Sequence, residues 1–187
     1  MSSYVCPQCG LDYDTILPID AVTALRSFPR RYGELLVPRD DDEKPDGVIR
    51  RRPEPSVWSA LEYTAHVADV EEELADAIRV MTTQDNPTIT GGMTDPDQRA
   101  VDAKYNEQDR EAVLTRHRAA CETAAQTIAD VPNNAWARMA SFPWGDRDAL
   151  TIARNAVHEG YHHLRDVADV LRRVIGKPVD VPGEDDE

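Results

Sequence analysis

The sequence predicts an all-α protein, a four-helix bundle with long connecting loops. Four segments carry apolar residues recurring every three and four positions, the spacing that lines one face of a helix. Residues that cap or stop helices bound these segments, and the alternating apolar pattern of strands is almost absent. With 187 residues, 41% of them hydrophobic, the chain supplies one packed domain and is too short for two.

Residues 1–18 are irregular, a CPQCG knuckle followed by LDYDTILP. The first helix is expected from Asp20, a good N-cap, to about Leu36, with Pro29 kinking or resetting it. The run RDDDEKPDGVIRRRPEP, ending at Pro55, cannot bury itself and reads as a long loop. Ser56 should cap the second helix, which runs to about Met81 with Tyr63, Val67, Val70, Leu74, Ile78 and Met81 on one stripe. Pro87, Gly91, Gly92 and Pro96 break residues 82–107 into a loop carrying at most one short helix.

The third helix is expected from Asp109 to Asp130, with Val113, Leu114, Cys121, Ala124 and Ile128 on its apolar face. Residues 131–147, with Trp136, Phe142, Pro143 and Trp144, read as an aromatic-rich crossing. The fourth helix runs from Asp148 to Ile175, with Leu150, Ala153, Val157, Tyr161, Leu164, Ala168 and Leu171 inward, and Gly176 and Pro178 stop it. The bundle then occupies residues 19–178, and the acidic residues 179–187 read as a disordered tail.

The 21 basic and 35 acidic residues give a net charge of −14, which argues against nucleic acid or an anionic membrane as the main partner. No apolar run approaches the roughly 20 residues needed to span a bilayer, and no signal segment opens the chain, so a cytoplasmic protein is expected. No serine–histidine–aspartate order, phosphate loop or paired-carboxylate motif stands out.

The stretch HEGYHHL, residues 158–164, holds three of the five histidines. His158 and His162 are spaced one turn apart on the same side of a helix, on a polar strip beside Asn155, Arg165 and Asp169. His66 lies at the edge of the second helix's apolar stripe and should face a neighbouring helix. From spacing alone the pair is either half of a metal site or a pair of surface residues. His163 points about a third of a turn away from His162 and is left outside the set.

WSALEYTAHVADV (58–70) and NAVHEGYHHLRDV (155–167) together resemble the DinB superfamily of metal-binding four-helix bundles, which includes YfiT-like and mycothiol-dependent maleylpyruvate isomerase-like proteins. The resemblance implies a three-histidine site for a divalent ion, zinc or nickel, at His66, His158 and His162. It also implies an enzyme, a thiol-dependent S-transferase or isomerase ahead of a hydrolase, using a small-molecule substrate and a low-molecular-weight thiol. A non-catalytic metal-binding or stress-response protein of the same fold is the alternative, and a homodimer is compatible with the fold. Arg165 would anchor an anionic ligand, and Asp69 and Asp166 are placed to orient imidazoles or to serve as surface charges. The chain departs from the family pattern after the paired histidines, where Leu164, Arg165 and Asp166 replace the usual glycine and glutamine.

Cys6 and Cys9 have the spacing of a structural zinc knuckle, but four ligands are required. His117 and Cys121, one turn apart on the third helix, would complete a site using every cysteine, but both sit on that helix's apolar face, where a buried free cysteine and a hydrogen-bonded core histidine are the simpler reading; other residues or a second subunit are the other way to complete the knuckle. The remaining reading is an unmetallated pair. A thioredoxin-like role lacks its strand–helix–strand context.

Overall fold

The computed structural model describes residues 4–37, 46–90 and 95–183. Helix α1 spans Pro18–Leu35, α2 Ala60–Thr83, the short α3 Pro96–Asp102 and α4 Arg110–Ala129. Strands β1 (Met139–Phe142) and β2 (Gly145–Asp148) follow, and α5 covers Ala149–Ile175. Both α1 and α2 pack against α4 and α5, so α1 and α2 occupy opposite corners of a four-helix bundle.

The helix starts follow from local chemistry. Ser59 Oγ accepts from the Glu62 amide at 3.2 Å while Glu62 accepts from the Ser59 amide at 2.8 Å, a reciprocal cap that starts α2 three residues after Ser56. Glu62 also accepts from Arg52 Nε at 2.8 Å, so the preceding loop is tied to the same cap. Asp109 and Asp148 cap α4 and α5 by accepting from Ala112 and Thr151, and Gly176 at φ +71° ends α5. Asp20 instead lies inside the first turn of α1, its carboxylate accepting from the Leu17 amide at 3.0 Å.

Three segments depart from expectation. Within the loop before α2, Val48 and Ile49 are buried in the core, and Ile49 accepts from the Leu61 amide at 3.0 Å. The crossing between α4 and α5 contains an antiparallel hairpin, β1 with β2, to which residues 87–89 add bridging hydrogen bonds through Ser141. On α5 the buried face is wider than the expected stripe, because Ile152, Ala156, Gly160, Val167 and Val170 also turn inward. A Cβ at Gly160 would sit 2.2–2.9 Å from the Phe28 ring, so α1 crosses α5 where this residue has no side chain. Tyr32 donates to the Gly160 carbonyl at 2.8 Å at the same crossing.

Residues 38–45 of the long loop, the Gly91–Gly92 pair and residues 184–187 of the expected tail lie outside the described residues. The first part of that tail is held: Arg172 donates to the Val179 carbonyl and Arg31 to that of Pro182. Among the described residues no helix is long and apolar enough to cross a membrane.

Candidate metal centre

Consecutive residues on a helix project about 100° apart, so HEGYHH on α5 carries two neighbouring strips, His158 with His162 and Glu159 with His163. Different elements cover them. Helix α2 faces the second strip and the N-terminal segment covers the first.

The ligand-capable atoms of His66, Glu159 and His163 lie within 4.8 Å of one another. Glu159 Oε2 is 3.9 Å from His66 Nε2 and 3.4 Å from His163 Nε2. The two imidazoles meet edge to face at 5.1 Å, and Trp58 packs edge-on against His66. On its other side His163 places Nδ1 2.8 Å from Asp166 Oδ2.

Cys6, Cys9, His158 and His162 form a separate group, again within 4.8 Å. Cys6 Sγ is 3.8 Å from His162 Nδ1, and His162 Nε2 is 3.5 Å from Asp166 Oδ2. Asp166 therefore stands behind one histidine of each group, facing the ring nitrogen that points away from it. The knuckle is closed by hydrogen bonds from the Gly10 amide to the Cys6 carbonyl and from the Cys6 amide to that of Leu11, with Gly10 at φ +76°. All three cysteines are free thiols.

The set His66, His158 and His162 is thus divided. His66 meets Glu159 and His163, while His158 and His162 meet the cysteines. The sequence sets His163 aside because it points away from His162, and it singles out no carboxylate on this helix, although Glu159 and His163 carry the same one-turn spacing as the chosen pair. His117 and Cys121 do lie together, Nε2 to Sγ 3.5 Å, but inside the core, with His117 against the Tyr32 ring and away from the knuckle. Asp69 accepts from Tyr105, Arg99 and Arg116 and so ties α3 and α4 to α2. Arg165 lies over the Tyr161 ring and donates to its hydroxyl at 3.2 Å.

Burial drives the His66 ring down to about 4, with His163 adding to the effect, so it is neutral near pH 7. Burial lowers His163 too, but Asp166 and Glu159 more than offset it and raise the ring to about 9. Burial would raise Glu159, yet His158 and His163 hold its carboxyl well below the usual carboxylate range. Burial would also raise the Cys6 thiol, whereas the Cys9 amide, the His158 ring and the Gln8 amide bring it down to about 6. Glu159 is therefore a half-buried carboxylate held ionised between imidazoles.

A cavity of about 530 Å³ opens beside Glu159, His66 and His158, walled by Val70 and Leu74 of α2, Arg99 of α3, Trp144 of the hairpin turn and Tyr13 of the N-terminal segment. Arg165 is not among its lining residues.

A family model for the DinB superfamily matches residues 30–167. The chain belongs to the DinB superfamily. This DinB-superfamily chain is similar in fold to YfiT from Bacillus subtilis, described as a probable metal-dependent hydrolase, at TM-score 0.74 and 13% identity over 86% of this chain and 88% of that one. It is also similar to the mycothiol-dependent maleylpyruvate isomerase, at TM-score 0.59 and 16% identity over 87% of this chain and 69% of that one. No curated protein matches the sequence.

The residues present fit the divalent ion that the DinB superfamily implies. His66 Nε2, the nitrogen that faces Glu159, stands too far from it for a hydrogen bond, and its ring is held neutral and able to donate a lone pair. Nitrogen and oxygen ligands at ~2.0–2.1 Å around a tetrahedral ion stand about 3.4 Å apart, close to the 3.4 and 3.9 Å separations found here. Two imidazoles and one carboxylate leave coordination positions open, the donor set of a reactive rather than a structural site.

Proposed function

We propose that this protein is a metal-dependent enzyme acting on a small organic molecule in the cavity between α2 and α5. The divalent ion is held by His66, Glu159 and His163, and the first reaction class is thiol-dependent S-transfer or isomerisation. The observation that carries this is the convergence of those three donors beside a cavity of about 530 Å³. Such a volume admits a low-molecular-weight thiol beside its acceptor, and it lies within the usual ~300–1,000 Å³ of ligand sites. A bound ion would supply Lewis acidity and would lower the pKa of a coordinated thiol or water.

The chain's own groups do the rest. Asp166, 2.8 Å from His163 Nδ1, fixes that ring's orientation so that Nε2 points at Glu159. Tyr13, Val70, Leu74 and Trp144 give the cavity apolar walls that limit water around a bound substrate. Arg99, bonded to Asp69 and Glu73, is a cationic group at this cavity and takes the role of anion contact in this reading.

The test compares zinc- and nickel-loaded protein for consumption of mycothiol or bacillithiol with electrophilic and isomerisable acids, and for hydrolysis of esters and amides. Thiol-dependent turnover abolished by Glu159→Gln supports the reading. Hydrolysis without thiol assigns the second class, the one the YfiT description suggests. Tight metal binding without turnover in either panel leaves a protein that holds the ion passively.

A further inference from the structure

The N-terminal segment, with its two cysteines, plays no ligand role in that reading. We infer that Cys6, Cys9, His158 and His162 form a second, closed zinc site that fastens residues 4–16 to α5. It stands whether or not the cavity site turns anything over.

Two sulfurs and two nitrogens are a zinc donor set, and four protein ligands leave no position for substrate, which marks a structural site. The geometry needs little adjustment. Bonds of ~2.3 Å to sulfur and ~2.0–2.1 Å to nitrogen place tetrahedral ligands about 3.6 Å apart, and Cys6 Sγ lies 3.8 Å from His162 Nδ1. His158 Nε2 is buried without a hydrogen-bond partner among the described residues, an atom that calls for an electrophile. The knuckle is already wound by the Gly10 and Cys6 amide bonds, and Asp166 stands 3.5 Å behind the far nitrogen of His162.

The segment also needs such an anchor. Residues 4–16 hold one 3-10 turn and no α-helix, and few of their side chains are buried: Cys6, Cys9 and Ile16. Apart from the zinc ligands, α5 holds them through Arg154, which donates to the Ile16 carbonyl and to Asp14, and through Tyr13 packed on the His158 ring at 5.3 Å. Tyr13 is also a wall of the cavity, so fastening the knuckle sets the shape of that wall.

The experiment is elemental analysis of full-length protein after growth with added zinc, comparing wild type, Cys6→Ser/Cys9→Ser and His66→Ala/His163→Ala. The cysteine variant should lose about one equivalent of zinc that the histidine variant keeps. Wild-type protein reconstituted with cobalt provides the check that needs no variant: thiolate ligation gives an intense near-ultraviolet charge-transfer absorption. Full zinc retention by the cysteine variant, or a cobalt-loaded wild type without that absorption, overturns the second site. Loss of zinc by the histidine variant alone would speak to the cavity ion and would overturn this one.

Discussion

At the scale of single residues, the proposed cavity site turns on Glu159. It sits between His66 and His163, and Glu159→Gln keeps its shape while removing its charge. Competition with a chromophoric chelator should show the cavity ion bound at least about 100-fold more weakly in that variant. Asp166→Asn, which touches no ion, should weaken it by about 10–100-fold. His66 and the α5 histidine cluster were visible in the sequence as ligand candidates. The choice between His158/His162 and Glu159/His163 was not, because both pairs have helical spacing and only the packing of α2 and of residues 4–16 assigns each strip its partner. A fully buried carboxylate away from the site, Glu71 of α2, has both oxygens without a hydrogen-bond partner among the described residues. Burial raises it well above its ordinary value of 4.5, with Glu159 adding to the shift. Folded protein then holds this proton more tightly than unfolded chain does, so wild-type stability falls as pH rises above 4.5. Glu71→Leu should raise stability by roughly 1–3 kcal/mol at neutral pH and by less below pH 4.5, measured by urea denaturation across that range.

At the scale of elements, the four long helices were legible because each carries the helical period, and in α4 and α5 the expected caps agree with it, whereas α1 and α2 start at Leu17 and Ser59 and not at Asp20 and Ser56. Asp109, Asp148 and Gly176 act where the sequence places them. The hairpin was not legible. Its strands have four residues each, too few to establish alternation, and its two-residue loop is Pro143–Trp144, without the Asn-Gly or Gly-first signal that two-residue hairpins carry. Ile49 escaped for a different reason: a short apolar pair between charged runs gives no period, and only the core of the folded bundle shows where it goes. Two substitutions probe what holds the helices. Ser59→Ala removes the α2 cap and a bond to Asn106, and should cost about 0.5–2 kcal/mol. Gly160→Ala forces a methyl group onto the Phe28 ring where α1 crosses α5, and should cost roughly 1–3 kcal/mol by overpacking. Both are read from thermal or urea unfolding, and a neutral Gly160→Ala would mean that α1 shifts freely on α5.

At the scale of the whole molecule, helix formation and site formation rest on different forces. The bundle buries a continuous apolar core shared by α1, α2, α4 and α5, and none of its four long helices depends on an ion to satisfy its ends. Residues 4–16 depend on α5 for support, and both candidate sites draw two ligands from the same two turns of that helix. Removing metal should therefore leave the bundle folded and loosen its N-terminal cover. Far-ultraviolet circular dichroism of chelated protein should keep nearly all its helix signal, while hydrogen exchange rises in residues 4–16 and at the Tyr13 wall of the cavity, with little change in α4. Stability should fall as well, by about 4 kcal/mol relative to protein with free ion at about a thousand times its Kd, because only the folded chain assembles the ligands. Loss of helix signal on chelation would instead make the ions part of the fold itself. Unchanged exchange in residues 4–16 would mean that Arg154 and Tyr13 hold the segment without them.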